Sequence, residues 1–474
     1  MFTKGKTKRV AASVDLTQGN LFKRIVVYTL PIILTSLLQL LFNAADLVVV
    51  GKSTSRTALG AVGSTNALTN LIINLLIGLS VGAGVLAARY FGSKDERAMH
   101  ELVHTSIPTA AIGGVVFGLI GFFGASTFLG WMKTDPKLIE QATLYVKIYS
   151  IGIPFSIIYN FGAAILRSVG DTTRPLIFLV IAGVLNVLFN LLFVLAFRMD
   201  VDGVATATII SQAISAVLVI VYMMRVKEAH RFEFKKMHIY KDKLIGIIKI
   251  GLPAGIQGSF FSISNVIIQS SINSFGDIAV SGNTAAVSIE GFVFTSLDAF
   301  HLTALNFTGQ HIGAKKYRRL KKILFQCLLS TVVLGLVLGF GAILLAKPLL
   351  RIYTSNPLEI AYGVTRLRYC CWGYFICGVM DVMSGMLRGM GYSTSSMLIT
   401  LFSVCGLRIV WIFTLFKVAK FHALETLYIS YPISWAVCVL FQTALFIFAY
   451  CRLLKRAKAE ENTESSQSQE VNLS

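Results

Sequence analysis

The chain has 474 residues, of which 55% are hydrophobic and only 14% are charged, and its formal net charge is +20 at pH 7. Soluble domains carry about 25% charged residues, so this composition excludes a water-soluble globular protein. The excess of Lys and Arg is clustered beside apolar runs, as at residues 225–243 and 315–322, which favours contact with anionic lipid headgroups over nucleic-acid binding.

Apolar runs of about 20 residues are long enough to cross a hydrocarbon core about 30 Å thick. They predict an all-α, multi-pass membrane protein with twelve transmembrane helices. Six predicted helices occupy the first half, at residues 25–50, 64–88, 103–128, 141–166, 176–197 and 203–224. Six more occupy the second half, at residues 244–272, 283–308, 322–346, 362–387, 396–416 and 425–451.

The two halves repeat one another. Leu166, Arg167 and Gly170 recur as Leu387, Arg388 and Gly391, an offset of 221 residues, and the Leu30-Pro31 pair recurs as Leu252-Pro253 at an offset of 222. Because each half has an even number of helices, the two six-helix bundles should be related by a pseudo-two-fold axis along the membrane normal. The predicted segments are a basic N-terminus (1–24), an N-terminal lobe (25–224), a basic linker (225–243), a C-terminal lobe (244–451) and a polar tail (452–474).

The distribution of Lys and Arg predicts the orientation. Most of these residues lie in the N-terminus, the linker, the loops on the same side and the tail. Cytoplasmic loops carry such an excess, so both termini are expected to be cytoplasmic. The tail from Ala457 onwards is rich in Ser, Glu and Gln and is expected to be disordered.

Proline stands near the start of the first helix of each half, at Pro31 and Pro253. Proline removes a backbone hydrogen bond and can bend a helix, which would suit a hinge, but it is also common where a helix begins. Both interpretations remain open.

Polar side chains of three predicted helices in the first half lie at a similar depth. Asp46 is on the first helix, Asn186 and Asn190 share one face of the fifth, and Thr208 is on the sixth. Ionisable groups inside a span are costly and predict function. These oxygens suit Na⁺, while the carboxylate alone could carry H⁺. The alternative is a hydrogen-bond network that only holds the bundle together.

The second half has other intramembrane charges. Asp298 and His301 could pair with each other on the eighth helix. Glu290 or Asp298 could attract a cationic substrate; alternatively, they could be neutralised by Arg408. Tyr159 and Phe292 are candidate aromatic residues of an adaptable substrate cavity.

The turns after the fourth and tenth helices carry the repeated motif. Glycine at Gly170 suits a tight turn, and Asp171 is placed to cap the fifth helix. With Arg167 and Arg388, these residues are expected to define the fold and the gate rather than to bind substrate. The chain has no P-loop and no catalytic His, Ser or Cys motif, so neither ATP-driven transport nor enzymatic activity is expected.

Four motifs in register resemble the multidrug and toxin extrusion (MATE) transporters, of the bacterial NorM/DinF-like type. They are the segment from Leu166 to Thr172 with Pro175, the segment from Asn43 to Gly51, the Gly251-Leu252-Pro253 start of the second half, and the segment from Thr308 to Gly313. The resemblance implies a V-shaped pair of six-helix bundles in the bacterial plasma (inner) membrane. It also implies a monomeric antiporter that is driven by H⁺ or Na⁺, has no other cofactor, and exports amphipathic, often cationic small molecules.

The resemblance also bears on individual residues. Asp46, Asn186 and Thr208 match the coupling residues of the family, whereas Asn190 stands where a second Asp is often found, which makes proton coupling through Asp46 more plausible. The alternative function is a lipid-linked oligosaccharide flippase of the same superfamily. Such a protein needs a cationic cavity, whereas the intramembrane charges predicted here are mainly acidic.

Overall fold

The computed structural model describes the backbone of residues 13–53, 56–132 and 134–473. It describes their side chains apart from residues 47–53, 56–64, 66–68, 71 and 460–473. Residues 1–12 of the predicted N-terminal segment lie outside the described residues.

Helices 1 to 6 form the N-terminal lobe. Their bounds are Leu21–Ser53, Arg56–Ser93, Glu96–Trp131, Ile139–Ser168, Thr173–Leu191 and Val201–Arg225. Helix 5 is continued by a π-helical turn, Leu192–Ala196.

Helices 7 to 12 form the C-terminal lobe. Helices 7, 8, 9 and 12 span Lys241–Asn273, Asp277–Gly313, Leu320–Leu344 and Leu424–Leu473. Helix 10 consists of Pro357–Cys371 and Tyr374–Gly389, which meet at a bend of 47°. Helix 11 begins as Ser393–Thr400, passes through a π-helical segment, Leu401–Gly406, and ends as Leu407–Phe413.

These helices confirm the all-α membrane fold. Within the described residues, eleven helices are long and apolar enough to cross a membrane, and the bent helix 10 makes the twelfth. The lobe surfaces expose large apolar side chains such as Phe123, Leu344 and Leu440, which are 70–82% exposed. Because so much exposed apolar area would be unstable in water, this surface is the one that faces lipid.

The two lobes meet toward one end of the bundle, which we call the basic end. It holds residues 13–20, the linker after helix 6 and the turn at residues 314–319. Helix 1 packs on helix 5 of its own lobe and on helix 8 of the other, where the hydroxyls of Thr29 and Thr303 are 2.8 Å apart. The Arg89 guanidinium donates to the carbonyl oxygen of Gly389 across the interface at 2.8 Å.

Both prolines lie inside their helices. Pro31 is ten residues into helix 1, and Pro253 is twelve residues into helix 7. The suggestion that they mark helix starts is therefore wrong, because both helices begin about three turns before the proline. Proline inside a helix removes one backbone hydrogen bond, which allows the helix to bend.

The prediction of a disordered tail is also wrong. Helix 12 continues through the membrane boundary to Leu473 as one α-helix. The residues directly after the span, from Arg456 to Glu461, include Ala, Lys and Glu, which are strong helix formers, and an existing helix is extended at little cost.

Glycines allow helices 2 and 7 to approach closely. A Cβ atom on Gly78 would lie 2.1 Å from the backbone nitrogen of Gly255, and one on Gly82 would lie 2.3 Å from the carbonyl oxygen of Ile247. Contacts this short leave no room for a side chain on either glycine. The interface between the lobes therefore depends on backbone packing, as in other small-residue helix contacts in membranes.

The substitution Gly78→Ala should destabilise the closed interface by about 1–3 kcal/mol, the usual cost of overpacking. We expect a lower unfolding temperature for the detergent-solubilised protein. The matched control is Gly113→Ala on helix 3, where a Cβ would meet no atom within 4 Å. That change should be neutral or stabilising, because Ala favours a helix over Gly by about 1 kcal/mol. Equal behaviour of the two variants would contradict the close packing.

Candidate functional site

A cavity of about 170 Å³ lies inside the N-terminal lobe, and Asp46 of helix 1 faces it. The Asp46 carboxylate accepts a hydrogen bond of 2.5 Å from the side-chain amide of Asn190. Among the described side chains, no Lys, Arg or His lies within ion-pair distance of Asp46. The carboxylate is thus held by one neutral donor at the edge of a small polar space.

Helix 5 supplies two amides to this site from successive turns. The Asn190 amide nitrogen also lies 3.3 Å from the side-chain oxygen of Asn186, and its own side-chain oxygen is buried without a hydrogen-bond partner among the described residues. The π-helical turn Leu192–Ala196 begins two residues after Asn190. Such turns are frequent at functional sites, because they rotate the side chains beyond them relative to the helix before.

The remaining predicted residues of this site lie around the same cavity. Thr208 of helix 6 lines it, and its hydroxyl donates to the carbonyl of Val204 at 3.0 Å. Tyr159 of helix 4 also lines it, and its hydroxyl donates to the carbonyl of Pro175 at 3.0 Å. The structure therefore brings together Asp46, Asn186, Asn190 and Thr208, and it places Tyr159 with them rather than in a cavity of the other lobe.

A larger cavity, of about 630 Å³, lies between helices 7, 8, 10, 11 and 12 of the C-terminal lobe, and Asn74 of helix 2 also lines it. Its charged lining residues are Glu290, Asp298, His301, Arg366, Asp381, Arg388 and Arg408. Ile268, the repeat counterpart of Asp46, also lines it. The two cavities therefore differ chemically despite the duplication.

Glu290 is neutralised by a residue that the sequence analysis did not single out. Arg366 donates to both carboxylate oxygens of Glu290, at 2.9 and 2.8 Å, and to the Asn283 side-chain oxygen at 2.8 Å. The hydroxyl of Tyr374 donates to Glu290 at 3.2 Å. Neutralisation of Glu290 by Arg408 is thus wrong, and Glu290 has little capacity left for a cationic substrate. Arg366 lies only four residues inside the predicted tenth helix. An arginine so close to a helix end usually extends its charge to the membrane interface, so its position alone did not indicate a buried ion pair.

Asp298 and His301 do not form the expected pair. One ring nitrogen of His301 lies 2.8 Å from the carbonyl oxygen of Asp381, and the other lies 3.3 Å from the Arg388 guanidinium. Asp298 and Asp381 are half-buried and face the cavity. Among the described side chains, neither has a basic group within ion-pair distance.

Two further predictions are corrected here. Phe292 does not line the C-terminal cavity, whereas Phe294 does, because a step of two residues on a helix turns a side chain by about 200°. Arg388 belongs to the repeated turn motif and was expected to define the fold and the gate. It is instead 7% exposed and reaches the cavity, where it donates to Gln257 at 2.9 Å.

The repeated turn after helix 4 has the predicted geometry. Gly170 has φ of +87° and Gly391 has φ of +92°, which confirms both tight turns. Asp171 accepts from the Arg174 backbone amide at 3.2 Å, confirming the cap of helix 5, and forms an ion pair with the Arg174 side chain at 2.9 Å. The carbonyl of Arg167 accepts from the Tyr28 hydroxyl at 2.8 Å. The motif thus ties helix 4 to helices 1 and 5.

Residues 13–20, which we call the strap, join the two lobes at the basic end. The Val14 amide donates to the carbonyl of Val169 in the N-terminal lobe at 2.8 Å. The Leu16 amide donates to the Gln310 side-chain oxygen in the C-terminal lobe, also at 2.8 Å. The Gln310 amide nitrogen in turn donates to the carbonyl of Ser168 at 2.7 Å. One buried glutamine therefore connects helix 8, the strap and the repeated turn.

The substitution Gln310→Ala should loosen the basic end. It removes two buried hydrogen bonds and leaves the Leu16 amide without its acceptor, at a cost of about 1–3 kcal/mol. Thr17 is 3% exposed, so alkylation of a Thr17→Cys reporter measures opening. The rate should rise about tenfold in Gln310→Ala. It should not change in Gln18→Ala, whose side chain bonds only within the strap, to Asp15. Equal rates in both variants would show that Gln310 does not hold the strap.

Comparison with known proteins gives the same architecture. The MatE family model matches the chain twice, at residues 31–192 and 253–414. These two matches are offset by 222 residues, which is the repeat seen in the sequence. One solved structure, described as an outward-facing conformation of a multidrug resistance MATE family transporter of the MOP superfamily, superposes with a TM-score of 0.87 at 20% identity. It covers 95% of this chain and 100% of its own.

Two similar sequences extend this comparison. A probable multidrug resistance protein of Bacillus subtilis (strain 168), YpnP, is 29% identical over 394 residues, which are 83% of this chain and 88% of that protein. A probable multidrug resistance protein of Thermotoga maritima, NorM, is 24% identical over 402 residues, which are 83% of this chain and 86% of that protein. With the family model matched in both halves, the chain belongs to the MatE family of membrane transporters.

Proposed function

We propose that this protein is a proton-coupled antiporter of the bacterial plasma membrane that exports amphipathic small molecules. The observation that carries the proposal is the Asp46 carboxylate, which faces a small cavity lined by polar side chains and has no basic partner among the described side chains. Such a carboxylate can bind and release a proton as the lobe rearranges. The names of the relatives support a drug-like substrate, and they do not favour the flippase alternative.

The amide arrangement supports H⁺ over Na⁺ as the coupling ion. The Asn190 amide nitrogen is directed at Asp46 and Asn186, so the site offers a donor where a metal ion would need an oxygen ligand. The sequence has a single carboxylate here. A proton needs only that carboxylate, whereas Na⁺ would require the amides to turn.

The same geometry supports alternating access. We propose that the basic end, with both termini, is cytoplasmic, following the excess of Lys and Arg there. The lobes are joined at that end, so the structure would be an outward-facing state in which protons enter from outside. Pro31 and Pro253 lie within helices that contact the other lobe, where a change of bend would alter the interface.

The test is transport in proteoliposomes that contain the purified full chain. A pH gradient and a Na⁺ gradient are imposed separately, and movement of a fluorescent lipophilic cation is followed. Transport driven by the pH gradient alone is the expected result. Transport that needs Na⁺ would overturn proton coupling, and the absence of transport under either gradient, in protein shown to be folded, would overturn the antiporter.

A further inference from the structure

Two arginines that line the C-terminal cavity form no direct ion pair among the described side chains. Arg388 and Arg408 are 7% and 3% exposed, and no Asp or Glu of the described residues lies within ion-pair distance of either guanidinium. An unpaired charge inside a membrane protein costs several kcal/mol. Arginine at such a position is therefore a candidate ligand group.

Arg408 is fixed in place with one side of its guanidinium free. Its Nε donates to the hydroxyl of Ser434 at 2.9 Å, and its guanidinium carbon lies 4.0 Å from the Tyr431 ring centre and 5.7 Å from that of Trp435. One terminal nitrogen is buried and has no hydrogen-bond partner in the part of the chain that the structure describes. The π-helical segment Leu401–Gly406 ends two residues before Arg408, as the π turn of helix 5 adjoins Asn190.

Arg388 lines the same cavity and also has a donor that is not used. Its terminal nitrogens contact Gln257 and His301, and its Nε is buried without a partner. Arg366, in contrast, is saturated by Glu290 and Asn283. Of the three arginines of the cavity, Arg366 therefore forms a structural ion pair, whereas Arg388 and Arg408 each keep a hydrogen-bond donor that is not used.

The opposite charge is also available in this cavity. Asp298 and Asp381 face it and have no basic group within ion-pair distance among the described side chains, although Arg388 acts on both carboxylates from a longer distance. Once Glu290 and Arg366 cancel, two guanidiniums and two carboxylates remain. Phe261, Phe294, Tyr431 and Trp435 add aromatic surface. A ligand that fits this lining is apolar and carries charges of both signs.

We propose that the C-terminal cavity binds an amphipathic zwitterion, whose carboxylate is held by Arg408 and Arg388 and whose ammonium group lies toward Asp298 and Asp381. This inference rests on the proposed exporter function and names its substrate class. The guanidinium fork binds a carboxylate through two parallel hydrogen bonds, which gives direction as well as affinity. A purely cationic molecule would leave Arg408 without an anionic partner.

The test is equilibrium binding to the purified full chain in detergent, measured by fluorescence anisotropy. The probes are a xanthene dye with a free carboxylate and an amine cation, and the methyl ester of the same dye, which keeps only the cation. The acid should bind about 10- to 100-fold more tightly than the ester, the range expected for hydrogen bonds to a charged group. Equal affinity for acid and ester would overturn the proposal.

The variants separate recognition from structure. Arg408→Gln should reduce acid binding about tenfold or more and leave ester binding within about twofold. Arg408→Lys keeps the charge but loses the fork, so it should retain part of the preference. Arg368→Gln, at an exposed arginine of helix 10, is the matched control and should change neither. An equal loss of acid and ester binding in Arg408→Gln, with a lower unfolding temperature, would assign Arg408 a structural role and overturn the proposal.

This measurement needs no ion gradient, so its outcome is independent of the coupling mechanism. A preference for the acid without transport in proteoliposomes would retain the binding site and reject the antiporter. Transport of the ester without any preference for the acid would retain the antiporter and reject the zwitterion site.

Discussion

The substitution Asp46→Asn is expected to reduce gradient-driven transport to the level of protein-free vesicles while the protein stays folded. Asparagine has nearly the same shape as aspartate, and its side-chain oxygen can still accept from Asn190, which lies 2.5 Å away in the wild type. It cannot bind or release a proton. It also removes the cost of a charge in the membrane, which is about 2.5–3.5 kcal/mol on insertion scales, so the unfolding temperature should be unchanged or higher.

The measurement compares pH-driven dye movement in matched proteoliposomes. Asp277→Asn is the control, because it makes the same chemical change at an exposed position in the first turn of helix 8. Equilibrium binding of the dye should survive in both variants, since Asp46 lies in the other lobe from the large cavity. Full transport by Asp46→Asn would show that Asp46 is not the coupling residue. Asp298 and Asp381 would then be the next carboxylates to test.

The charge of the substrate decides how far a single proton can drive export. One inward proton gains about 2.3 kcal/mol per 100 mV, and a tenfold concentration gradient adds about 1.4 kcal/mol. For a zwitterion of zero net charge the sum supports an accumulation ratio of several hundred. For a monovalent cation in one-for-one exchange the electrical contribution cancels, and about tenfold remains. One carboxylate at Asp46 and a cavity suited to zwitterions are therefore energetically consistent.

The fold could be predicted from the sequence because its signal is long and redundant. Each predicted helix is an apolar run of about 20 residues, and the proline and turn motifs occur once in each half. The site in the N-terminal lobe was predictable for a related reason. Asn186 and Asn190 are four residues apart, so they share one face of helix 5 however the helix is rotated. Their position along the helix places them at the same depth in the membrane as Asp46.

The contacts of the C-terminal cavity depend on how helices 10 and 11 are rotated about their axes, which the sequence alone does not predict. The 47° bend in helix 10 and the π-helical segment of helix 11 change the direction of the side chains beyond them. Arg408 consequently stacks on Tyr431 and does not pair with Glu290. Arg366, in the segment of helix 10 before the bend, forms the ion pair with Glu290. Motif spacing could not have shown this, because Glu290 and Arg366 are 76 residues apart.

The ion pair of Glu290 and Arg366 should give the largest effects on stability. Both side chains are 4% exposed. Removing one partner of a buried pair leaves an uncompensated charge and typically costs about 3–5 kcal/mol, whereas replacing both by neutral groups of similar volume is often tolerated. We therefore expect Glu290→Gln and Arg366→Met each to lower the unfolding temperature strongly, and the double variant to recover most of the loss.

The double-mutant cycle is measured by thermal unfolding of the detergent-solubilised protein, with Arg368→Met as the exposed control on helix 10. Asn283 and Tyr374 also contact the pair, so the recovery should be incomplete. Losses that simply add in the double variant would mean that the two groups act independently. Glu290 would then be free to meet a cationic ligand. Recovery would instead show that Glu290 has a structural role in the cavity wall. The charged residues available to a substrate would then be Asp298, Asp381, Arg388 and Arg408.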